Sequence, residues 1–225
     1  MGYFLKRYFQ LLPFGHYIFI NFENINFKKN AIIIANHMSV VDILLLLSMP
    51  IKTNVFVKYT YLTAPVLGIV TTMGNYIRIG KTSGFDANND ANYAIKQASK
   101  FLNKNISILG FPEGTRSGSG ELKRFRNGLF DLALRTQTDI IPIVIAGSGD
   151  CIPRTGIDVI KPFVVLKILD RIPYQTFSIY GTVRDLKKHI YHLMKNEYKK
   201  LNENFENKYI RTSIKKLKEQ GYMVY

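Results

Sequence analysis

Two short clusters in this 225-residue chain carry residue types that can do chemistry. The first is Asn36-His37-Met38-Ser39-Val40-Val41-Asp42, which follows the apolar run Ala31–Ala35. A histidine at a strand-to-helix turn can stand at the carboxyl end of a sheet, where α/β proteins place their ligands. Asp42 lies about one helical turn further on and can reach back to one imidazole nitrogen. That bond would fix the tautomer and leave the other nitrogen free to accept a proton. A plainer role also fits, with Ser39 and Asp42 capping the helix and His37 a satisfied core residue.

The second cluster is Phe111-Pro112-Glu113-Gly114-Thr115-Arg116-Ser117, after the apolar run Ile106–Phe111. Gly114 lets backbone N–H groups approach a ligand closely. Arg116 can grip a phosphate with its fork of donors, and Thr115 and Ser117 add hydroxyls. Glu113 cannot itself favour a phosphate, so it is expected to orient Arg116 or a hydroxyl. A solvated turn with a local ion pair is the plainer alternative.

Other candidates lack a complete set of partners. Gly80-Lys81-Thr82 ends like a phosphate-binding loop, but Asn75 stands where that loop requires its first glycine. His189 and His192 lie one helical turn apart without an acidic ligand beside them, as on a surface face. The chain has no Gly-x-Ser-x-Gly elbow, so a serine hydrolase has no candidate nucleophile.

The elements that must position the two clusters follow from hydrophobic patterning. Short apolar runs at Ala31–Ala35, Asn54–Lys58, Asn75–Ile79, Ile106–Phe111, Ile140–Ala146 and Phe163–Leu169 read as strands. Helical patterns fall between them at Val40–Ser48, Asn88–Asn103 and Leu122–Thr136. This alternation predicts an α/β fold with a mostly parallel or mixed central sheet flanked by helices. Val183, Leu186, Ile190, Leu193, Tyr198 and Leu201 then recur at helical spacing, which predicts a long amphipathic C-terminal helix or helix pair. Arg184–Lys218 carries 11 basic and 4 acidic residues, a solvated face that also suits anionic lipid.

The chain suits one domain with terminal additions: a segment 1–24, a central domain 25–182 and a helical extension 183–225. Met1–Phe22 is aromatic and apolar but is interrupted by Lys6, Arg7, Pro13, Gly15 and His16, so it falls short of the roughly 20 residues a span needs. It reads as a helix lying in a bilayer interface, the alternative being a helix packed on the core. No small-residue cleavage site marks it as a signal peptide. Residues 59–77 lack charge but contain Pro65 and two glycines, and read as buried or membrane-dipping.

The single cysteine, Cys151, excludes an internal disulfide and a multi-cysteine zinc site. The net charge of +15 favours anionic partners such as a membrane surface, an acidic protein or nucleic acid. Residues 1–112 hold 11 Lys+Arg against 4 Asp+Glu, and residues 113–225 hold 20 against 12. The excess is therefore spread rather than gathered in a basic arm, which argues against nucleic acid.

Together the two clusters resemble the PlsC-like 1-acylglycerol-3-phosphate acyltransferases, in both order and separation. Lys58 and Pro65-x-x-Gly68 are similar to the segment between that family's first two motifs, and Ile141-Pro142-Ile143 to its fourth. The resemblance spans about residues 25 to 180. It implies a glycerolipid acyltransferase fold with His37 as base, Asp42 as its partner and Arg116 on the acceptor phosphate. Asn36, Glu113, Ser117, Lys58 and Pro142 would support these groups, and no metal or other cofactor is called for. That family's second motif usually ends in an aspartate and an arginine that meets the acceptor phosphate; here Gly80 and Lys81 occupy those places, and Arg78 lies three residues before Lys81. Lys81 or Arg78, with Gly114 and Thr115, would then complete the phosphate site, and lysine keeps charge without bidentate geometry.

The resemblance further implies an acyl-CoA or acyl-ACP donor and a lysophospholipid acceptor, 1-acyl-sn-glycerol-3-phosphate. It places the protein, peripheral or monotopic, at the cytoplasmic face of the cell membrane. The altered second motif leaves another lysolipid acceptor open, such as a lyso-ornithine lipid. A non-catalytic basic module that binds membrane or nucleic acid is the remaining alternative.

Overall fold

The computed structural model describes residues 16–26, 28–58, 76–79, 87–117, 120–151, 163–205 and 214–224. Its strands are β1 (His16–Ile20), β2 (Ile32–Ala35), β3 (Thr53–Lys58), β4 (Ile77–Ile79), β5 (Ser107–Gly110), β6 (Ile140–Ala146), β7 (Phe163–Ile168) and β8 (Met223–Val224). Its helices are α1 (Val40–Ser48), α2 (Ala87–Leu102), α3 (Gly128–Thr136), α4 (Ser148–Cys151), α5 (Val183–Asn204) and α6 (Ile214–Glu219).

The strands form one mixed sheet in the order β4-β3-β5-β2-β6-β7-β1-β8. From β4 to β6 every neighbouring pair is parallel. β7 runs antiparallel to β6 and parallel to β1, and β8 closes the far edge antiparallel to β1. Five strands thus end at one edge, and the segments after β2 and β5, adjacent in the sheet, leave side by side. These are the segments that carry the two clusters.

Alternation along each strand feeds two cores. Ile32, Ile34, Ile140 and Val144 pack with Ala98 of α2, Phe130 and Ala133 of α3, and Ile190 and Met194 of α5. Ile33, Ala35, Ile141, Ile143 and Ile145 pack on the other face with Val41, Leu45 and Leu46 of α1. Because both faces are covered, β2 and β6 are buried along their whole length, which explains their unbroken apolar sequences.

The structure departs from the sequence pattern in three places. His16–Ile20 is a strand, not part of an interfacial helix, and its central residues Tyr17, Ile18 and Phe19 are buried. Residues 1–15 lie outside the described residues. The helix expected from Leu122 begins only at Gly128. Residues 122–126 stay outside the helix, with Pro112 O accepting from Arg126 N at 2.8 Å and Glu113 Oε2 from Lys123 N at 2.9 Å. After α5 and α6 the C-terminal segment returns to the sheet as β8. Both terminal segments therefore contribute strands to the central sheet.

Candidate active site

The Asn36–Asp42 turn is built by side chains acting as backbone. Asn36, fully buried, donates to Ile145 O at 2.8 Å and accepts from Ile145 N at 2.7 Å. Its amide extends the β2–β6 ladder by one step beyond Ala35 and fixes where His37 leaves the sheet. Ser39 then caps α1, and Asp42 closes the capping box by accepting from Ser39 N at 2.8 Å. The same oxygen, Oδ2, accepts from Met38 N at 2.7 Å and faces His37 Nδ1 at 3.0 Å. The capping role and the catalytic role considered for Asp42 are thus one arrangement. The carboxylate that starts the helix also holds the ring.

With Nδ1–H facing a carboxylate, Nε2 is the nitrogen left as a base. It has no partner among the described residues, and the His37 side chain is 12% exposed. Phe111 stacks on the imidazole at 4.0 Å between centroids and 19° between planes, fixing the ring on its flat side.

The second cluster is stitched to the first. Glu113 Oε1 accepts from His37 N at 2.9 Å, and Ser117 N donates to His37 O at 2.7 Å. Both backbone polar groups of His37 are therefore bound by the Phe111–Ser117 loop. Burial raises the pKa of Glu113 above its ordinary value, and the N–H groups of Lys123 and His37 oppose that rise. The expectation that Glu113 orients Arg116 or a hydroxyl is corrected here: its oxygens take two backbone N–H groups instead. Ser117 is likewise a strap, its hydroxyl donating to Glu121 O at 2.6 Å. Gly114 sits at φ +75°, and its own N–H donates to Phe111 O at 3.0 Å within the turn. That donor is spent, so the groups left to meet a ligand are the N–H of Thr115 and of Arg116, which have no partner among the described residues.

Arg116 is half-buried and pairs with no carboxylate among the described residues, while its carbonyl accepts from Lys123 Nζ at 2.7 Å. Thr115 is exposed beside it. Pro142 is buried in β6 opposite Ile34, supporting the strand that Asn36 clasps. Lys58 ends β3 opposite Ile79, and Arg78 lies opposite Val57; these strands end at the same sheet edge as the site. The side chains of Lys58 and Arg78, and all of Pro65, Gly68, Gly80 and Lys81, lie outside the described residues.

Four contributors carry no sequence signal of their role. Phe111 heads the second cluster, but nothing in the sequence signals its stacking on His37. Lys123 and Arg126 fall within the expected helix because Leu122 and Phe125, both buried, stand three residues apart, a helical spacing. Tyr198 of α5 donates its hydroxyl to Gly120 O at 2.7 Å and so ties that helix to the loop after Ser117.

A family model described as Acyltransferase matches residues 16–146. A 1-acyl-sn-glycerol-3-phosphate acyltransferase of Limnanthes alba is 35% identical over 122 residues, 54% of this chain and 42% of that protein. One of Borreliella burgdorferi is 28% identical over 170 residues, 72% of this chain and 66% of that protein. The alignment to the plant relatives thus spans about four-tenths of their length. The crystal structure of the 1-acyl-sn-glycerophosphate (LPA) acyltransferase PlsC from Thermotoga maritima superposes with a TM-score of 0.72 and 26% identity, covering 89% of this chain and 77% of that one. The matched region contains β1 through β6 and both clusters, with His37, Asp42 and Glu113 bonded together at one sheet edge; the chain belongs to the acyltransferase family.

Proposed function

We propose that this protein transfers a fatty acyl group from a thioester, acyl-CoA or acyl-ACP, to the free hydroxyl of 1-acyl-sn-glycerol-3-phosphate, yielding phosphatidic acid. The observation that carries this reading is the His37 Nδ1 to Asp42 Oδ2 pair at 3.0 Å, which leaves Nε2 open beside a cationic loop. His37 Nε2 takes the hydroxyl proton as the acceptor oxygen bonds to the thioester carbonyl carbon. The C–S bond then breaks, and the leaving thiolate receives that proton from the imidazolium. Asp42 stabilises the imidazolium between the two transfers. Arg116, with Lys81 or Arg78, holds the acceptor phosphate, and the N–H groups of Thr115 and Arg116 receive the developing oxyanion. The names borne by relatives from plants and bacteria support this acceptor.

Work at a bilayer surface is part of the proposal, at the cytoplasmic face and without a span. It is supported by the net charge of +15 and by the basic exposed face of α5. No helix among the described residues is long and apolar enough to cross a membrane.

Acyl transfer from labelled oleoyl-CoA to oleoyl-lysophosphatidic acid in vesicles, wild type beside His37→Ala, tests the reading. Phosphatidic acid from the wild type alone is the expected result. Turnover by a folded His37→Ala variant would remove His37 as the base. A second reading, another lysolipid acceptor, rests on Gly80-Lys81 standing in the segment that resembles the family's second motif, where lysine keeps charge without bidentate geometry. Activity on an acceptor without a phosphate, in the same assay, would select it.

A further inference from the structure

Beside the Phe111–Ser117 loop lies an open cleft of about 570 Å³, lined by Glu113, Thr115, Lys123, Arg124, Arg126 and Lys187 together with Phe125 and Asn127. Its volume falls in the range of about 300–1,000 Å³ that small-molecule sites occupy. We propose that this cleft holds the phosphate-bearing nucleotide end of coenzyme A, and so is the donor site for the acyl transfer proposed above.

The charge balance is the first argument. The nucleotide end of coenzyme A carries a diphosphate and a phosphomonoester, about four negative charges at neutral pH. The cleft presents the cations of Lys123, Arg124, Arg126 and Lys187. Among the described residues no carboxylate pairs with any of them. Its one acid, Glu113, is buried and turns both oxygens to the backbone N–H groups of His37 and Lys123.

The second argument is that the segment carrying the cations is held in place. Phe125 is buried against Phe130 and meets Tyr191 of α5 edge-on at 5.1 Å, so its neighbours Arg124 and Arg126 face outward. Pro112 O and Glu113 Oε2 take the N–H groups of Arg126 and Lys123. Arg126 lies directly over Gly114: a Cβ there would meet its Nε at 2.8 Å and its Cζ at 3.1 Å. Lys187 Nζ of α5 donates to Asn127 Oδ1 at 2.6 Å. Binding therefore need not order this segment first, which lowers its entropic cost.

The third argument is position. Glu113 bonds to the base turn through one oxygen and to the cleft wall through the other, so cleft and base adjoin across one side chain. The cleft is far larger than a single phosphate and open to water. A soluble nucleotide suits it better than the headgroup of a lipid acceptor, whose phosphate is assigned to Arg116.

Calorimetric titration of the full chain with free coenzyme A, wild type against Arg124→Ala/Arg126→Ala, reads the site without any turnover. The double variant, with an unchanged melting curve, is expected to bind coenzyme A on the order of tenfold more weakly or worse. Dephospho-coenzyme A should bind the wild type more weakly than coenzyme A does. In steady state the double variant should raise KM for oleoyl-CoA while KM for lysophosphatidic acid stays in place. Equal affinity of both proteins for coenzyme A, or none in the wild type, would overturn the proposal. So would a rise confined to KM for the acceptor or for an acyl carrier protein. A wild type that binds coenzyme A through these arginines but does not acylate lysophosphatidic acid would uphold the cleft and sink only the proposed acceptor.

Discussion

The carboxylate of Glu113 accepts the backbone N–H of His37 at 2.9 Å, so the second motif of the chain holds the first by its main chain. Its other oxygen accepts from Lys123 N, also at 2.9 Å, and both oxygens are therefore committed as acceptors. Glutamine is nearly isosteric but can accept at only one of these places; its NH₂ must face an N–H at the other. Glu113→Gln should lower stability by about 1–3 kcal/mol through one lost charge-assisted bond and one buried unpaired donor. The base would shift with the strap, and kcat should fall on the order of 10²-fold. Denaturant unfolding beside the acyl-transfer assay measures both, and a glutamine variant as stable and active as the wild type would show that the strap does not position His37.

Asp42→Asn separates two duties of one side chain. Its carbonyl oxygen can still accept from Met38 N and Ser39 N and so keep the cap on α1. The negative charge opposite His37 Nδ1 is lost, and with it the stabilisation of the imidazolium. The melting temperature should fall little while kcat drops on the order of 10³-fold or more. A variant that loses both together would mean that the cap, rather than the charge, is what Asp42 supplies.

Much of this site could be read from the chain because its signals are local. Asn36, His37, Ser39 and Asp42 lie within one turn, and a strand-to-helix junction brings them together whatever the rest of the fold does. The buried strands around them announce themselves as unbroken apolar runs. What escaped depends on partners distant in sequence. Lys123 and Arg126 stay outside the helix, their N–H groups claimed by Glu113 and Pro112, although the spacing of Leu122 and Phe125 fits a helix. His16–Ile20 becomes a strand because β7 and β8 flank it, and a five-residue apolar run cannot disclose its neighbours. The stacking of Phe111 on His37 likewise joins residues from adjacent strands that are far apart in the chain.

Acid should weaken the fold through Asp139. This buried carboxylate lies against Lys29 Nζ at 2.6 Å and Arg171 at 3.0 Å and accepts from Tyr174 N at 3.1 Å. Burial alone would raise its pKa, but Lys29, the Tyr174 N–H and Arg171 together hold it below the ordinary value. A depressed carboxylate adds stability that is fully present above its unfolded pKa, about 3.9, and is lost as pH falls through the folded value. Glu113 works in the opposite sense. Its raised pKa means that stability is lost as pH rises through the folded value. Asp139→Asn should therefore cost about 2 kcal/mol at pH 7, part of the pairing being screened at exposed Lys29. It should also flatten the loss of stability on acidification below about pH 4. Unfolding midpoints measured from pH 7 to pH 3 test this, and parallel curves for variant and wild type would place the acid sensitivity elsewhere.

Gly114→Ala tests why glycine is needed in the loop. At φ +75° any other residue is strained, by roughly 1–2 kcal/mol. The added methyl would also meet the guanidinium of Arg126 at 2.8 Å, so the arginine must move off the loop. Since the Gly114 N–H already serves the turn, glycine here answers to geometry and to the arginine above it rather than to a bond from its own amide. Gly114→Ala should lower stability by at least the strain. Arg126→Ala in the same background should recover only the part due to the clash. A double-mutant cycle read by unfolding free energy separates the two contributions: full additivity would mean that Arg126 and Gly114 are independent, and a positive coupling that the arginine is seated on the glycine.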